Sequence, residues 1–368
     1  MTSISFTGDI AFSKYFKDSW GDDKLISEEL VEFLNSSDYT VANVEGAMTD
    51  RVMTRGNDKS TLTHASSPNA ARWLDRIGSN IWNLSNNHTL DCTELGLADT
   101  IELAKAHGAR ALGAGLVKSE AVKPIIIEKE GGIGLFSVCY KGKYAAGENK
   151  AGIIAWNDME TIAATIKSIK EKNRWCVIIA HAGEEFSDMH MPHVRRRYLK
   201  YIELGADIIV AHHPHVAQNY ETVGDKMIFY SLGNFVFDTD YQRLQPHSNS
   251  GVLLKLKFFE DRFEWDSKAF LIDRQINRIV PLIIFREFGK KDYKKLAPLA
   301  VCRFLERNKE AKLYLSPKMK DFSALQWAKW YIKNKGFTAS VLLLCAKLRY
   351  SERKLRNTDA ALLKYLNE

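Results

Sequence analysis

The stretch YIELGADIIVAHHPHV, residues 201–216, runs from a helix end through an apolar strand into a cluster of imidazoles. Gly205 reads as a helix stop. Ile208, Ile209 and Val210 form a β-branched apolar run, the mark of a strand covered on both faces. His212, His213 and His215 follow at its end. Three rings this close are costly in an apolar core, because each buried ring nitrogen needs a hydrogen-bond partner or a metal. The order of helix, buried strand and polar cluster points to an α/β fold, in which sites are built at the C-terminal ends of strands.

The same grammar recurs on either side. Strands are expected over SISFTGDIAF, YTVANVEGAM, NIWNLSNNH, ARALGAG and WCVIIAHAGEEF, and in DKMIFYSLGNFVFD and GVLLKLKFFEDRFEW. KPIIIEKEGGIGLFSVCY reads as a hairpin about Gly131-Gly132. Helices are expected over DCTELGLADTIELAKAHG, METIAATIKSIKEKN and HVRRRYLKYIELG. Mixed βα units and late hairpins favour an α/β sandwich built on mixed sheets. Asp9, Glu45, Asn87, His88, His181 and the pair His213 and His215 each fall at the end of an expected strand, and so on one rim of one sheet.

Carboxylate oxygens and imidazole nitrogens are the ligands that borderline divalent metals take. Asp9 and Glu45 offer carboxylates, Asn87 an amide oxygen, and His181, His213 and His215 imidazoles. On an extended segment, alternate side chains face the same way, so His213 and His215 are expected to reach one locus while His212 points elsewhere. Each residue alone has a plainer reading. Asp9 after a glycine is an ordinary turn residue, Asn86-Asn87-His88 a cap on the next helix, and His181 a hydrogen-bonded core histidine. Their common placement at strand ends favours a site.

Composition narrows the class. The chain has 368 residues, 45% hydrophobic and 26% charged, enough for one large domain and an appendage. The net charge of +7 is uneven. From Arg286 onward there are 20 Lys and Arg against 8 Asp and Glu; the preceding 285 residues carry 32 against 37. That basic segment reads as a helical extension, residues 286–368, distinct from a main domain over 1–280. Its Trp327, Trp330 and Tyr331 pack onto the body or form a patch for a partner. Five scattered cysteines without CxxC spacing argue against a disulfide framework or zinc ribbon and for a reducing compartment. No signal peptide is expected from MTSISFTGDIAF, and no apolar run reaches the ~20 residues of a spanning helix. A cytoplasmic protein is expected, peripheral at the inner membrane if the basic segment binds anionic lipid. Nothing signals nucleic-acid binding.

FTGDIAF, VANVEGAMTD, SNNHTLDCTELGL, IIAHAGEEF, AHHPHV and FYSLGNFVFD occur in this order over roughly residues 3–275. Together they resemble the CapA family of poly-γ-glutamate (capsule) biosynthesis proteins, within the metallophosphatase-like, calcineurin-like phosphoesterases. The resemblance implies a four-layer α/β/β/α sandwich and one or two divalent metals, with Mn, Fe or Zn expected. It implies Asp9, Asn87, His181, His213 and His215 as ligands and Glu45 as a bridging carboxylate. It implies His88 as a proton donor oriented by Asp91, and Ser231, Gly233 and Asn234 as residues that shape the site. Ala11 stands where phosphoesterases carry a histidine, which removes one ligand, and Ala182 stands where the family often has an aromatic residue.

Three functions follow as expectations. The first is a CapA-type, metal-dependent hydrolase with a metal-activated water, acting on an anionic polymer in capsule or envelope biosynthesis. The second is a cytoplasmic phosphodiesterase or phosphatase acting on a small phosphoester. The third is a non-catalytic scaffold that joins other capsule-synthesis proteins or the inner membrane through its basic segment.

Overall fold

The Trp175–His181 strand shows how the layers arise. Val177 and Ile179 enter one apolar cluster, and Cys176, Ile178 and Ala180 another. Side chains alternate across a strand, so two apolar sets mean that both faces are covered. The structure, a computed structural model, describes residues 1–51 and 64–282.

The strands of the two principal sheets are, in chain order, β1 (Thr2–Ile10), β2 (Tyr39–Val44), β3 (Ile81–Asn83), β4 (Arg110–Leu112), β5 (Ile125–Ile127), β6 (Ile133–Cys139), β7 (Trp175–His181), β8 (Ile208–His212), β9 (Tyr220–Val223), β10 (Lys226–Phe229), β11 (Asn234–Val236), β12 (Ser250–Phe258), β13 (Phe263–Asp273) and β14 (Arg278–Pro281). The helices that cover them are α1 (Glu28–Asn35), α2 (Thr93–Ala106), α3 (Met159–Lys172) and α4 (Pro192–Glu203).

The first sheet runs β14-β13-β12-β1-β2-β3-β4, with β11 joined in parallel to the end of β1. Strands β1 to β4 are parallel, and β12 pairs with β1 antiparallel. The second runs β9-β10-β8-β7-β6-β5, parallel at its centre with antiparallel edges. Ile4, Phe6, Val41 and Leu254 of the first meet Leu135, Val177, Ile179 and Val210 of the second in one buried cluster. The sheets therefore pack face to face.

On the outer face of the first sheet, Ile10, Ala42, Val44 and Trp82 are covered by Leu30 and Leu34 of α1 and by Leu97 and Ala104 of α2. On the outer face of the second, Cys176 and Ile178 are covered by Ile162, Ile166 and Ile169 of α3 and by Val194, Tyr198 and Tyr201 of α4. Each fully buried side chain of this kind contributes about 1.5–3 kcal/mol. The result is the expected four layers, α/β/β/α.

Gly131 and Gly132, both at positive φ, turn β5 into β6 as the hairpin reading required. Cys92, Cys139 and Cys176 are free and buried. No helix among the described residues is long and apolar enough to cross a membrane. The basic segment from Arg286, with Trp327, Trp330 and Tyr331, lies outside the described residues.

Candidate metal centre

Register builds the first half of the site. Asp9 on β1 pairs with Asn43 on β2 and with Asn234 on β11, and Asn43 pairs with Asn83 on β3. Four polar side chains thus stand in one row across four adjacent strands. Asn83 Nδ2 donates to Asn43 Oδ1 at 2.7 Å, and Asn43 Nδ2 donates to Asp9 Oδ1 at 2.7 Å. The row is an amide relay that ends on a buried carboxylate and fixes its orientation. Asn234 is held by donating to Gln242 Oε1 and to the Ser248 carbonyl, and its own Oδ1 lies 2.9 Å from His215 Nδ1. Gly8 lets β11 come this close: a Cβ there would sit 2.2 Å from the Gly233 carbonyl oxygen.

The second half comes from the facing sheet. The sequence placed all the polar strand ends on one sheet. In the structure Asp9 lies in, and Glu45 and Asn87 follow, strands of the first sheet, whereas His181 and His212 end strands of the second and His213 and His215 follow the latter strand. The site occupies the shared end of a sandwich.

The alternation argument for His213 and His215 also needs correcting. Strand β8 stops at His212, and the chain leaves it with φ of +95° at His213 and +58° at His215. These are left-handed conformations, uncommon outside glycine and found where surrounding structure holds them in place. Alternation no longer governs where the rings point. His212, expected to face away, has its Nδ1 3.4 Å from Asp9 Oδ1 and is fully buried.

The residues singled out in the sequence do come together. Glu45 Oε1 lies 3.8 Å from His88 Nε2, 3.8 Å from His181 Nε2 and 3.9 Å from His215 Nε2. His215 Nδ1 lies 3.2 Å from Asp9 Oδ2. Asn87 Oδ1 lies 2.7 Å from His181 Nε2. His213 packs at a tilt among Tyr140, His181 and His215. His88 Nδ1 donates to Asp91 Oδ2 at 2.6 Å, and the same oxygen accepts from the His64 backbone N–H at 3.0 Å.

Electrostatics divides these groups. Burial pushes Asp9 up, but the adjoining imidazoles of His212 and His215 outweigh it and hold Asp9 well below the usual carboxylate range. Burial pushes Glu45 well above that range, against the pull of His215 and with added repulsion from Asp9. Burial would lower His215, but Glu45 and Asp9 raise it to about 10. Burial holds His181 and His213 well below the ordinary imidazole value, so both are neutral at pH 7.

These facts test the fit of a metal. Both Glu45 oxygens are buried and make no hydrogen bond with any group of the described residues. A carboxylate so placed costs several kcal/mol unless a cation meets it. Two groups on one ion, each about 2.0–2.2 Å from it, lie at most about 4.4 Å apart. The separations around Glu45 are inside that limit and beyond hydrogen-bond length. Glu45, His181 and His213 form one set whose donor atoms lie within 4.8 Å of one another, and Asp9, Glu45 and His215 form a second. Glu45 belongs to both. Carboxylate oxygen and the neutral imidazoles of His181 and His213 suit a divalent ion, and His215, charged without one, would give up its proton to join it. The residues fit.

Three participants escaped the sequence reading. Asn83 pairs with Asn43 on the neighbouring strand, and an asparagine close to the end of each of these strands was its only signal. His64, buried with its ring 4.0 Å from that of His88, lies in a stretch with no pattern of its own. Glu185 was read as part of a motif, without a ligand role; it forms a third donor set with His213 and His215.

Comparison with known proteins follows from this geometry. Residues 3–239 match the family described as bacterial capsule synthesis protein PGA_cap. The PGA biosynthesis protein CapA of Bacillus subtilis (strain 168) is 32% identical over 251 residues, covering 66% of this chain and 64% of that protein. The capsule biosynthesis protein CapA of Bacillus anthracis is 28% identical over 254 residues, covering 66% and 61%. The chain therefore spans under two-thirds of the length of these relatives. Among solved structures, a hypothetical protein from Thermus thermophilus superposes with a TM-score of 0.46 at 12% identity, over 73% of this chain and 99% of that one.

Proposed function

The chain belongs to the PGA_cap family of bacterial capsule synthesis proteins, and from that premise we propose that it is a divalent-metal-dependent hydrolase. Its substrate in this reading is an anionic envelope polymer of the poly-γ-glutamate kind or a phosphoester met during polymer assembly. The observation that carries the reading is Glu45: a buried carboxylate with two unbonded oxygens, ringed by imidazoles. The relatives' names support the polymer, and the donor chemistry supports Mn, Fe or Zn.

Asp9, Glu45 and His215 would hold one ion, and Glu45, Asn87, His181 and His213 the other. A bound divalent ion supplies Lewis acidity and lowers the pKa of water toward neutrality. The protein's own residues do the rest. The amide row from Asn83 through Asn43 points Asp9 at the cluster. Asn234 orients His215. Burial keeps His181 and His213 neutral, so their lone pairs are available.

His88 is the proton donor in this account. Asp91 accepts from its Nδ1, which turns Nε2 toward the cluster, where it would donate to a leaving group. His64 supports the pair, since its backbone N–H shares the Asp91 oxygen.

Hydrolysis of a generic aryl phosphodiester by the manganese-loaded protein tests the reading. Turnover that disappears in Asn87→Ala and His213→Ala supports it. Metal-loaded protein that hydrolyses neither this ester nor poly-γ-glutamate contradicts it and favours a scaffold.

A further inference from the structure

The segment after β7 is fastened to the segment after β8 along its whole length. Ala182 N–H donates to the His212 carbonyl at 3.0 Å, and Phe186 N–H donates to the Pro214 carbonyl at 2.7 Å. Between these bonds Gly183 passes so close that a Cβ would meet Pro214 Cγ at 3.0 Å. Phe186 takes a φ of +56°, unusual for a bulky residue, and its ring lies 5.6 Å from that of His215. Glu185 is held between these anchors.

The consequence is a third donor set, which shares one histidine with each of the two buried ones. Glu185, His213 and His215 present donor atoms within 4.8 Å of one another, with Glu185 exposed and both histidines buried. An exposed glutamate normally turns into water, where its charge is best solvated. Here its charge reaches Glu45, Tyr140 and His215. Strain at Phe186 and the paired backbone bonds place it there.

We infer that Glu185, His213 and His215 form an outer divalent-cation site at the solvent-facing edge of the cluster. This rests on the metal-centre reading above and adds a carboxylate to it. The two imidazoles are shared with the buried donor sets, so an ion captured by the exposed carboxylate lies beside its final position.

Stopped-flow uptake of Mn²⁺ by the full chain, after chelator treatment and dialysis and beside an equilibrium titration, tests this. Because His213 and His215 also belong to the buried sets, the outer site empties as those fill and shows in the rate of uptake. Glu185→Gln is expected to bind the wild-type number of ions at equilibrium but to take them up about tenfold or more slowly, the factor by which losing even a supporting partner of a ligand weakens a site. Glu148→Gln, which neutralises another exposed carboxylate, is expected to match wild type. Equal melting temperatures in EDTA show that the fold is intact. Glu185→Gln that takes up Mn²⁺ at the wild-type rate, or Glu148→Gln that is slowed as much, overturns the outer site. Wild type that binds no Mn²⁺ at all overturns the metal centre itself, and the two failures are distinct.

Discussion

Asn87 Oδ1 lies 2.7 Å from His181 Nε2, although the two residues follow strands of different sheets and are 94 positions apart. That contact closes the sandwich at the end where the site is built. It also brings two candidate ligands of different chemistry to one point. Asn87→Ala and His181→Ala are each expected to reduce bound metal and to lower hydrolysis by about 10-fold or more. Because both act on one position, the double variant is expected to be little worse than the worse single one. Independent losses that multiply would show that the two residues serve separate sites.

His88 and Asp91 should separate from the ligands in their phenotype. His88→Ala is expected to lower the rate by roughly 10²–10⁴, the usual contribution of a general acid, with metal content unchanged. Asp91→Asn is expected to fall in the same direction by less, since it orients His88 and contacts no donor set. Elemental analysis beside steady-state kinetics checks both. Loss of metal in His88→Ala would make it a ligand.

The fold was legible where periodicity was strong. Apolar runs such as residues 176–180 read as strands buried on both faces, and the Gly131-Gly132 turn marks its own hairpin. The candidate site residues were legible because each falls at or shortly after the end of a strand. Their geometry was not. That the strand ends come from two facing sheets depends on packing, which no local pattern carries. His213 and His215 meet through left-handed backbone, so alternation is not what brings the expected pair together, and it sent His212 the wrong way. Asn83 and His64 matter only through register and a backbone N–H, which side-chain patterns do not reveal.

Gly8 is a steric requirement of the site. Gly8→Ala places a methyl group 2.2 Å from the Gly233 carbonyl oxygen, and backbone cannot yield as a side chain can. A cost of about 1–3 kcal/mol is expected, as for other overpacked positions. Urea unfolding should show a lower midpoint with unchanged slope. An unchanged midpoint would mean that β1 and β11 separate freely.

Asp158 caps α3 through Oδ1, which accepts from the Thr161 N–H at 3.2 Å, and its other oxygen accepts from Lys118 Nζ at 3.0 Å. Asp158→Ala is expected to cost ~1 kcal/mol, the usual worth of such a cap. Burial would raise the Asp158 carboxyl, but the bonds from Lys118 and Thr161 outweigh it and lower it. A depressed carboxylate stabilises the fold above its unfolded value of about 3.9 and loses that contribution as pH falls through the lower folded value. The difference in stability between wild type and Asp158→Ala should therefore shrink below about pH 4. A difference that grows there would reverse the sign of the argument.

The central claim is that Glu45 is buried in order to hold divalent metal. Elemental analysis of purified wild type and Glu45→Gln, each incubated with Mn²⁺ and then dialysed, tests it most directly. The account predicts one or two divalent ions per wild-type chain and a marked loss in a folded Glu45→Gln protein. A folded wild-type protein that remains metal-free after the same treatment would contradict it.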